Sequence, residues 1–382
     1  MASDDRVYRE LQRYLDRLPA GFPEVAFGLD IRLLKRLFTP EEARLALRLS
    51  MKPEPFRRVY GRVRDSGITE GDLRRRLEAM LRKGTILSFE QGYEEPHYCN
   101  AEFSAGGIYN FQVNRLTKDL IEDYQKYLAE SRSQPRRRGT WVRPLRTIPV
   151  EESVPLPGKY RVSHYDSVRK LVENATDKIA VTNCICRQSQ EILGKKCRHT
   201  DLYESCLIIG ADHARRHVEM GIARYITKEE AYDILRRAEQ AGLVIQPENS
   251  QRPDAICCCC GDCCVLLRML PNHPRPVELY DSNFYVEVDR DKCTGCEVCV
   301  EKCQLDARVM ADGIAEVKLE RCIGCGNCVA LCPAGANRLV KKAPERVPPE
   351  DKNAYRMKVL SGRVGRWGML KVRLKMMLGM KV

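Results

Sequence analysis

Several protein classes are excluded by what this sequence lacks. No apolar run in its 382 residues approaches the roughly 20 residues that span a bilayer. Met1 to Asp5 is polar and acidic with no apolar h-region, so a secretory leader is not expected. There is no G-x-G-x-x-G and no P-loop, which argues against a dinucleotide or nucleoside triphosphate held by those folds. H-E-x-x-H is missing, as is the C-x3-C-x2-C run of radical SAM enzymes. Uniform basic charge is missing too. The net charge is +13, but residues 341 to 382 carry twelve Lys/Arg and three Asp/Glu, a local +9 that leaves only +4 elsewhere. The chain therefore has a basic tail and is not basic throughout, as a general nucleic-acid binder would be.

What is abundant is cysteine, 19 residues in all. Without an export signal these are expected as metal ligands kept reduced in an anaerobic or well-defended cytoplasm, not as a disulfide framework. Cys293, Cys296, Cys299 and Cys303 stand at C-x2-C-x2-C-x3-C. Cys322, Cys325, Cys328 and Cys332 repeat the spacing, followed by Pro333. This spacing wraps three thiolates around one corner of a cubane and sends the fourth to the other cluster. One [4Fe-4S] cluster is thus assigned to Cys293, Cys296, Cys299 and Cys332, the second to Cys322, Cys325, Cys328 and Cys303. Gly295, Gly324 and Gly326 fit a backbone passing close to inorganic sulfide. A pair of structural zinc sites would also use C-x2-C, but two complete x2-x2-x3 runs are not its pattern. Residues 284 to 342 resemble the bacterial-type two-cluster ferredoxin domain. Gln304 departs from it, standing where that family has proline, and is expected to loosen a turn beside the second cluster.

Ten further cysteines lie between 184 and 264, six of them in Cys257-Cys-Cys-Cys-Gly-Asp-Cys-Cys264. Thiolates this dense repel one another, and a metal centre compensates them. Cys257, Cys260 and Cys263 repeat C-x2-C-x2-C. They are expected to hold a third iron–sulfur centre with one ligand from Cys184, Cys186, Cys197 or Cys206. A zinc site with buried free thiols, or disulfide chemistry, is the alternative. Adjacent cysteines diverge, so some of the six must do something else. Arg187 beside Cys184-Ile-Cys186 is read either as tuning a cluster or as an ordinary salt-bridge partner. His213 and His217, four apart, are read as solvated surface histidines, and Cys99 as a core residue.

Along the chain, Val7, Leu11, Tyr14, Leu15 and Leu18 mark a helix over residues 4 to 18. Thr39-Pro40-Glu41-Glu42 carries a capping box with Pro at the first helical position. A helix over 54 to 65, a Thr69-capped helix ending at Gly84, and strands at 85–89 and 97–103 follow. VYGRVRDSGITEGDLRRRLEAMLRKGTI resembles the helix-turn-helix and wing of winged-helix proteins, in which the second helix enters the DNA major groove. Arg74, Arg75 and Arg76 would lie on it, but so would Asp72 and Glu78, and docking of a protein partner is preferred. A helical stretch over 112 to 130 precedes the Pro- and Arg-rich residues 131 to 158, read as an exposed linker. Lys178 to Asn183 reads as a buried strand, and Thr227 to Glu230 as a second capping box.

The expectation is an α+β multidomain chain. It comprises a winged-helix-like domain (1–130), a linker (131–158), a cysteine-rich α/β domain (159–283), a ferredoxin-like 2[4Fe-4S] domain (284–342) and a basic amphipathic helical tail (343–382). Nearly the whole chain resembles a family of 4Fe-4S binding proteins of anaerobic bacteria and archaea, which implies iron–sulfur binding and electron transfer. Lacking a flavin motif, such a chain is expected to be an electron carrier or oxidoreductase subunit serving a redox partner protein, not a stand-alone enzyme. The alternative is a redox-responsive transcription regulator reading nucleic acid through the winged helix. The tail is expected to touch the inner face of a membrane, to pack on a partner subunit, or to fold back on its own domain.

Overall fold

A computed structural model of the chain describes residues 3–90, 92–104, 106–133, 143–154, 162–175, 178–269, 273–378 and 380–381. The fold mixes helix and sheet, in two units. The first comprises Met1–Val142, Arg215–Ile222 and Arg356–Val382; the second comprises Arg143–Ala214 and Ala223–Tyr355.

In the first unit, the apolar stripe of helix Ser3–Arg17 is buried from Val7 to Leu15. Phe22 packs against Phe103 and Tyr127, with ring centroids 4.4 and 4.8 Å apart. The capping box at Thr39 forms in both directions. Glu42 N–H donates to Thr39 Oγ1 (3.2 Å), and Thr39 N–H donates to Glu42 Oε2 (2.8 Å). After a two-residue strand, Glu54–Pro55, come helices Phe56–Gly61 and Glu70–Lys83. Thr69 caps the second of these, and Leu73, Leu77 and Met80 bury its inner face. Strands Ile86–Phe89 and His97–Asn100 then pair antiparallel, and Glu54–Pro55 joins the far side of His97–Asn100. Cys99 is fully buried there, as expected. The helix expected from 112 begins later, as Lys118–Ser133, after a 3-10 turn at Asn110–Gln112.

The basic tail forms helix Lys352–Met377, interrupted at Gly365. Within the first unit Leu360 is buried, Arg356 pairs with Glu102 (2.8 Å), and Arg363 donates to the Asp16 carbonyl (2.7 Å). Trp367, Leu370, Leu374 and Met377 stay exposed. No helix among the described residues is long and apolar enough to cross a membrane. His217 is not a solvated surface residue; it is buried against the edge of Phe111, with centroids 5.1 Å apart. His213, assigned to the second unit, is buried as well.

The second unit is built on a five-stranded antiparallel sheet in the order Arg224–Ile226, Ile179–Asn183, Glu204–Ile208, Ala255–Cys259, Val244–Pro247. Helices Val168–Glu173 and Lys228–Gln240 share a hydrophobic cluster with it, Leu171, Val172, Ile234 and Leu235 meeting Val181, Leu207, Ile245 and Ile256. The linker expectation fails for residues 131–133, which end helix Lys118–Ser133, and for 143–154; its remainder at 134–142 and 155–158 lies outside the described residues. Here Ile148 N–H donates to the Ile245 carbonyl (3.2 Å) and Val150 N–H to that of Cys325 (2.9 Å). Arg146 is buried in an ion pair with Asp166, which also accepts from Asn283 Nδ2 (2.8 Å). Prolines at 144 and 149 suit such an edge segment as well as they suit a solvated linker.

The ferredoxin-like segment lies in this same unit and does not stand apart as a separate domain. Strand Phe284–Val288 pairs antiparallel with Asn337–Lys341, and Arg308–Ala311 forms a hairpin with Ile314–Val317. Two short helices, Val298–Glu301 and Asn327–Ala330, each begin within a C-x2-C-x2-C run.

Candidate metal centres

Each cysteine run is a loop that turns into a short helix, so its thiols converge without strand pairing. Gly295 and Gly324 sit at φ +70° and +64°, at equivalent places in the two runs. A Cβ on Gly295 would come within 2.6 Å of the Gly313 carbonyl oxygen, and one on Gly324 within 2.2 Å of that of Phe284. Both positions need glycine for conformation and for space.

Cys293, Cys296, Cys299 and Cys332 line one cavity with Pro333. Ala315 N–H donates to Cys293 Sγ (3.4 Å) and Arg308 Nη2 to Cys299 Sγ (3.5 Å). Backbone N–H groups of Ala315 and Gly295 hold the Cys293 thiol below its usual range. Cys303 belongs by sequence to this run but lies with Cys322 and Cys328 in another hydrophobic cluster. Burial pushes Cys325 up to about 12, with Cys303 and Cys322 adding to the shift. Cys328 is raised likewise, by burial and then by Cys325, Cys322 and Cys303. Thiols so placed ionise only against a cation, and Ala307 N–H already donates to Cys303 Sγ (3.2 Å). Two sets of four free thiols with amide donors aimed at them suit two cubane clusters.

The remaining cysteines sort by strand geometry. Along Ala255–Cys259 side chains alternate, so Cys257 and Cys259 face one way and Cys258 the other. Cys206 stands opposite Cys257 across the paired strands, Cys257, Cys259 and Cys264 share one hydrophobic cluster, and the thiols of Cys186 and Cys184 interact with Cys264 and with each other. Six thiols therefore form one connected group: Cys184, Cys186, Cys206, Cys257, Cys259 and Cys264. Beyond the strand the chain turns, carrying Cys260 and Cys263 to Cys197. Cys197 Sγ lies 3.6 Å from Cys260 Sγ and 3.7 Å from Asp262 Oδ1. Hydrogen bonds from Cys260 and Cys263 lower the Cys197 pKa, while Cys260 is pushed up to about 12.

The expected tripod of Cys257, Cys260 and Cys263 is thus divided. Cys260 and Cys263 join Cys197, whereas Cys257 joins Cys206 on the other side of the strand. Even spacing mimicked the ferredoxin loop, but Cys257 lies in strand Ala255–Cys259, with a period of two, whereas Cys260 and Cys263 lie in the turn beyond it. Asp262 escaped the sequence reading; its only signal was its place between two grouped cysteines.

Arg187 is fully buried, and no ion pair with a carboxylate is found for it among the described residues. It donates to Ser205 Oγ (2.8 Å), the Leu202 and Cys258 carbonyls, and Cys260 Sγ (3.7 Å). Burial acts to lower its pKa, but Cys184 and Cys260 more than offset this and hold it charged. It is a buried cation between the two thiol groups. Gln304 does not loosen its turn. It is buried, accepts from Gly261 N–H (2.7 Å) and donates to the Gly242 carbonyl (3.0 Å).

Residues 285–333, containing both cysteine runs, match the 4Fe-4S dicluster domain family. The chain therefore carries a dicluster iron–sulfur domain with two 4Fe-4S clusters as its cofactors. No curated protein and no solved structure matches it.

Proposed function

We propose that this protein is an electron carrier, or the electron-transfer subunit of an oxidoreductase, passing single electrons between the dicluster domain and a third iron–sulfur centre held within the six-thiol group. One observation carries the reading. Cys257, Cys259 and Cys264 of that group share a hydrophobic cluster with Cys325 of the dicluster domain, together with Val244, Leu267, Tyr280, Leu305 and Ile323. Bound clusters supply one-electron chemistry; the protein's part is to keep them dry, close and fixed in orientation. Leu305 and Ile323 flank Cys303 and Cys322 in sequence, so the apolar contact runs from one thiol set to the other. Anaerobic purification and iron counting test this. More than eight irons per chain are expected, falling toward eight in Cys257→Ser and Cys259→Ser with the dicluster EPR signals kept. Eight irons in the fully reconstituted wild type would remove the third centre.

The first unit is proposed as the docking module for a redox partner. Its strand, two helices and hairpin have the connectivity of a winged helix, which supports that reading. A redox-responsive regulator is the second reading, favoured by the exposure of Arg74, Arg75 and Arg76 on one helix. Against it, Arg75 is paired with Asp72, and Arg74 stacks 3.9 Å over the Phe56 ring. Exposed Trp367, Leu370 and Leu374 among basic residues support peripheral contact with an anionic membrane. Trp367 fluorescence should shift blue on anionic vesicles and stay unmoved on neutral ones.

A further inference from the structure

We propose that Cys197, Cys260, Cys263 and Asp262 form a mononuclear tetrahedral site for a single zinc ion, distinct from every iron–sulfur centre of the chain. The first argument is spacing. Four ligands on one zinc at about 2.3 Å stand about 3.8 Å apart along the tetrahedron's edges. Cys197 meets Cys260 at 3.6 Å and Asp262 at 3.7 Å, and all four ligand atoms lie within 4.8 Å of one another. Cubane ligands each bind a different iron, so they stand farther apart. The chain supplies its own contrast. Among the described residues this is the only group of three or more Cys, His, Asp or Glu gathered so tightly, and none of the eight dicluster cysteines joins one.

Donor orientation is the second argument. Arg198 N–H donates to Asp262 Oδ2 (2.8 Å), which turns Oδ1 toward Cys197. His199 Nε2 stands 4.0 Å from the same Oδ1, and the ring is held from behind by Gln304 Nε2 at 3.3 Å from Nδ1. Outer partners of this kind fix a carboxylate ligand in place. Charge is the third. Three thiolates and a carboxylate around one divalent ion leave an excess of two negative charges, and the buried Arg187 guanidinium lies 3.7 Å from Cys260 Sγ. Zinc has no accessible redox step, so it would pin the 197 loop to the 260–263 turn without diverting electrons. The proposal does not rest on the electron-transfer reading and would stand if that reading fell.

The test uses the full chain, purified anaerobically and reconstituted with iron, sulfide and zinc. Zinc-edge X-ray absorption should show a three-sulfur shell at about 2.3 Å plus one oxygen. Cys197→Ser should lose the zinc while keeping the wild-type iron count. Should that variant fail to accumulate, Asp262→Asn serves. Its zinc should keep the sulfur shell yet yield to a chelator at least about tenfold more readily. Absence of bound zinc, loss of iron in Cys197→Ser, or an Asp262→Asn protein that holds zinc as tightly as wild type would each overturn the assignment.

Discussion

Gln304 receives the backbone N–H of Gly261 on its side-chain oxygen at 2.7 Å, tying the loop after Cys303 to the turn between Cys260 and Cys263. The approach is close, since a Cβ on Gly261 would fall 2.5 Å from the Gln304 carbonyl oxygen. Proline, which the ferredoxin resemblance implies here, would supply neither the acceptor nor the donor to Gly242. The side chain thus joins two cysteine loops within one unit.

Gln304→Leu keeps most of the volume and strands the half-buried Gly261 N–H, which should cost about 1 kcal/mol. Anaerobic thermal melts should record a fall of roughly 2–4 °C per kcal/mol for a unit of this size. Iron content should hold. A melting temperature equal to wild type would mean that water or backbone rearrangement satisfies Gly261 without the side chain.

Cys303→Ser tests the crossed ligand sets. Cys303 lies four residues from Cys299 but is packed with Cys322 and Cys328. The variant should lose the cluster of Cys322, Cys325 and Cys328 and keep that of the Cys293 set, whose cavity includes Cys332. Reduced-state EPR should change from two interacting centres to one isolated signal. Survival of interacting signals, or loss of the Cys293 set alone, would rule against the crossing.

The dicluster segment was legible because its ligand spacing is a local property of loops, set by the geometry of the cluster itself. Helix starts were legible for the same reason: Thr39, Thr69 and Thr227 each cap through a bond only three residues long. The middle centres were not. Which of Cys257, Cys259 and Cys260 meet depends on strand direction and on a sheet whose order is not that of the chain. Residues 143–154 misled in the same way, because Arg146 is buried only by virtue of Asp166 and Asn283, the latter more than a hundred positions away.

Glu239 provides a pH test on a carboxylate, separate from the titration of the thiols themselves. Burial raises its pKa from 4.5 to about 7, opposed by the Glu151 N–H it accepts (2.9 Å) and aided by the charges of Glu151 and Glu152. The folded state therefore holds a proton that the unfolded chain releases. This contribution is whole below about pH 4.5 and fades as pH rises to about 7. Glu239→Gln keeps the acceptor without the charge. It should flatten the loss of stability between pH 5 and 8, gaining at most roughly 3 kcal/mol at the upper end, at about 1.4 kcal/mol per pKa unit. An unchanged slope would show that Glu239 is already hydrated in the folded state.

The last prediction separates the docking module from the DNA reader. Helix Glu70–Lys83 exposes Arg74, Arg75 and Arg76, but Asp72 holds Arg75, and Glu78 lies 3.6 Å from Arg82. A groove-reading helix needs guanidinium groups free for base edges, and here acidic neighbours would face a polyanion. Selection from random duplexes at physiological salt, with oxidised and reduced protein, should therefore enrich no sequence. Residual binding should fade steeply with salt, as phosphate contacts that merely release counterions do. Replacing all three arginines by alanine should leave electron transfer to an artificial acceptor intact while weakening transfer to a native partner. A motif that is enriched, lost on Arg75→Ala, and bound with an affinity that follows cluster redox state would instead identify a regulator, with the clusters serving as its sensor.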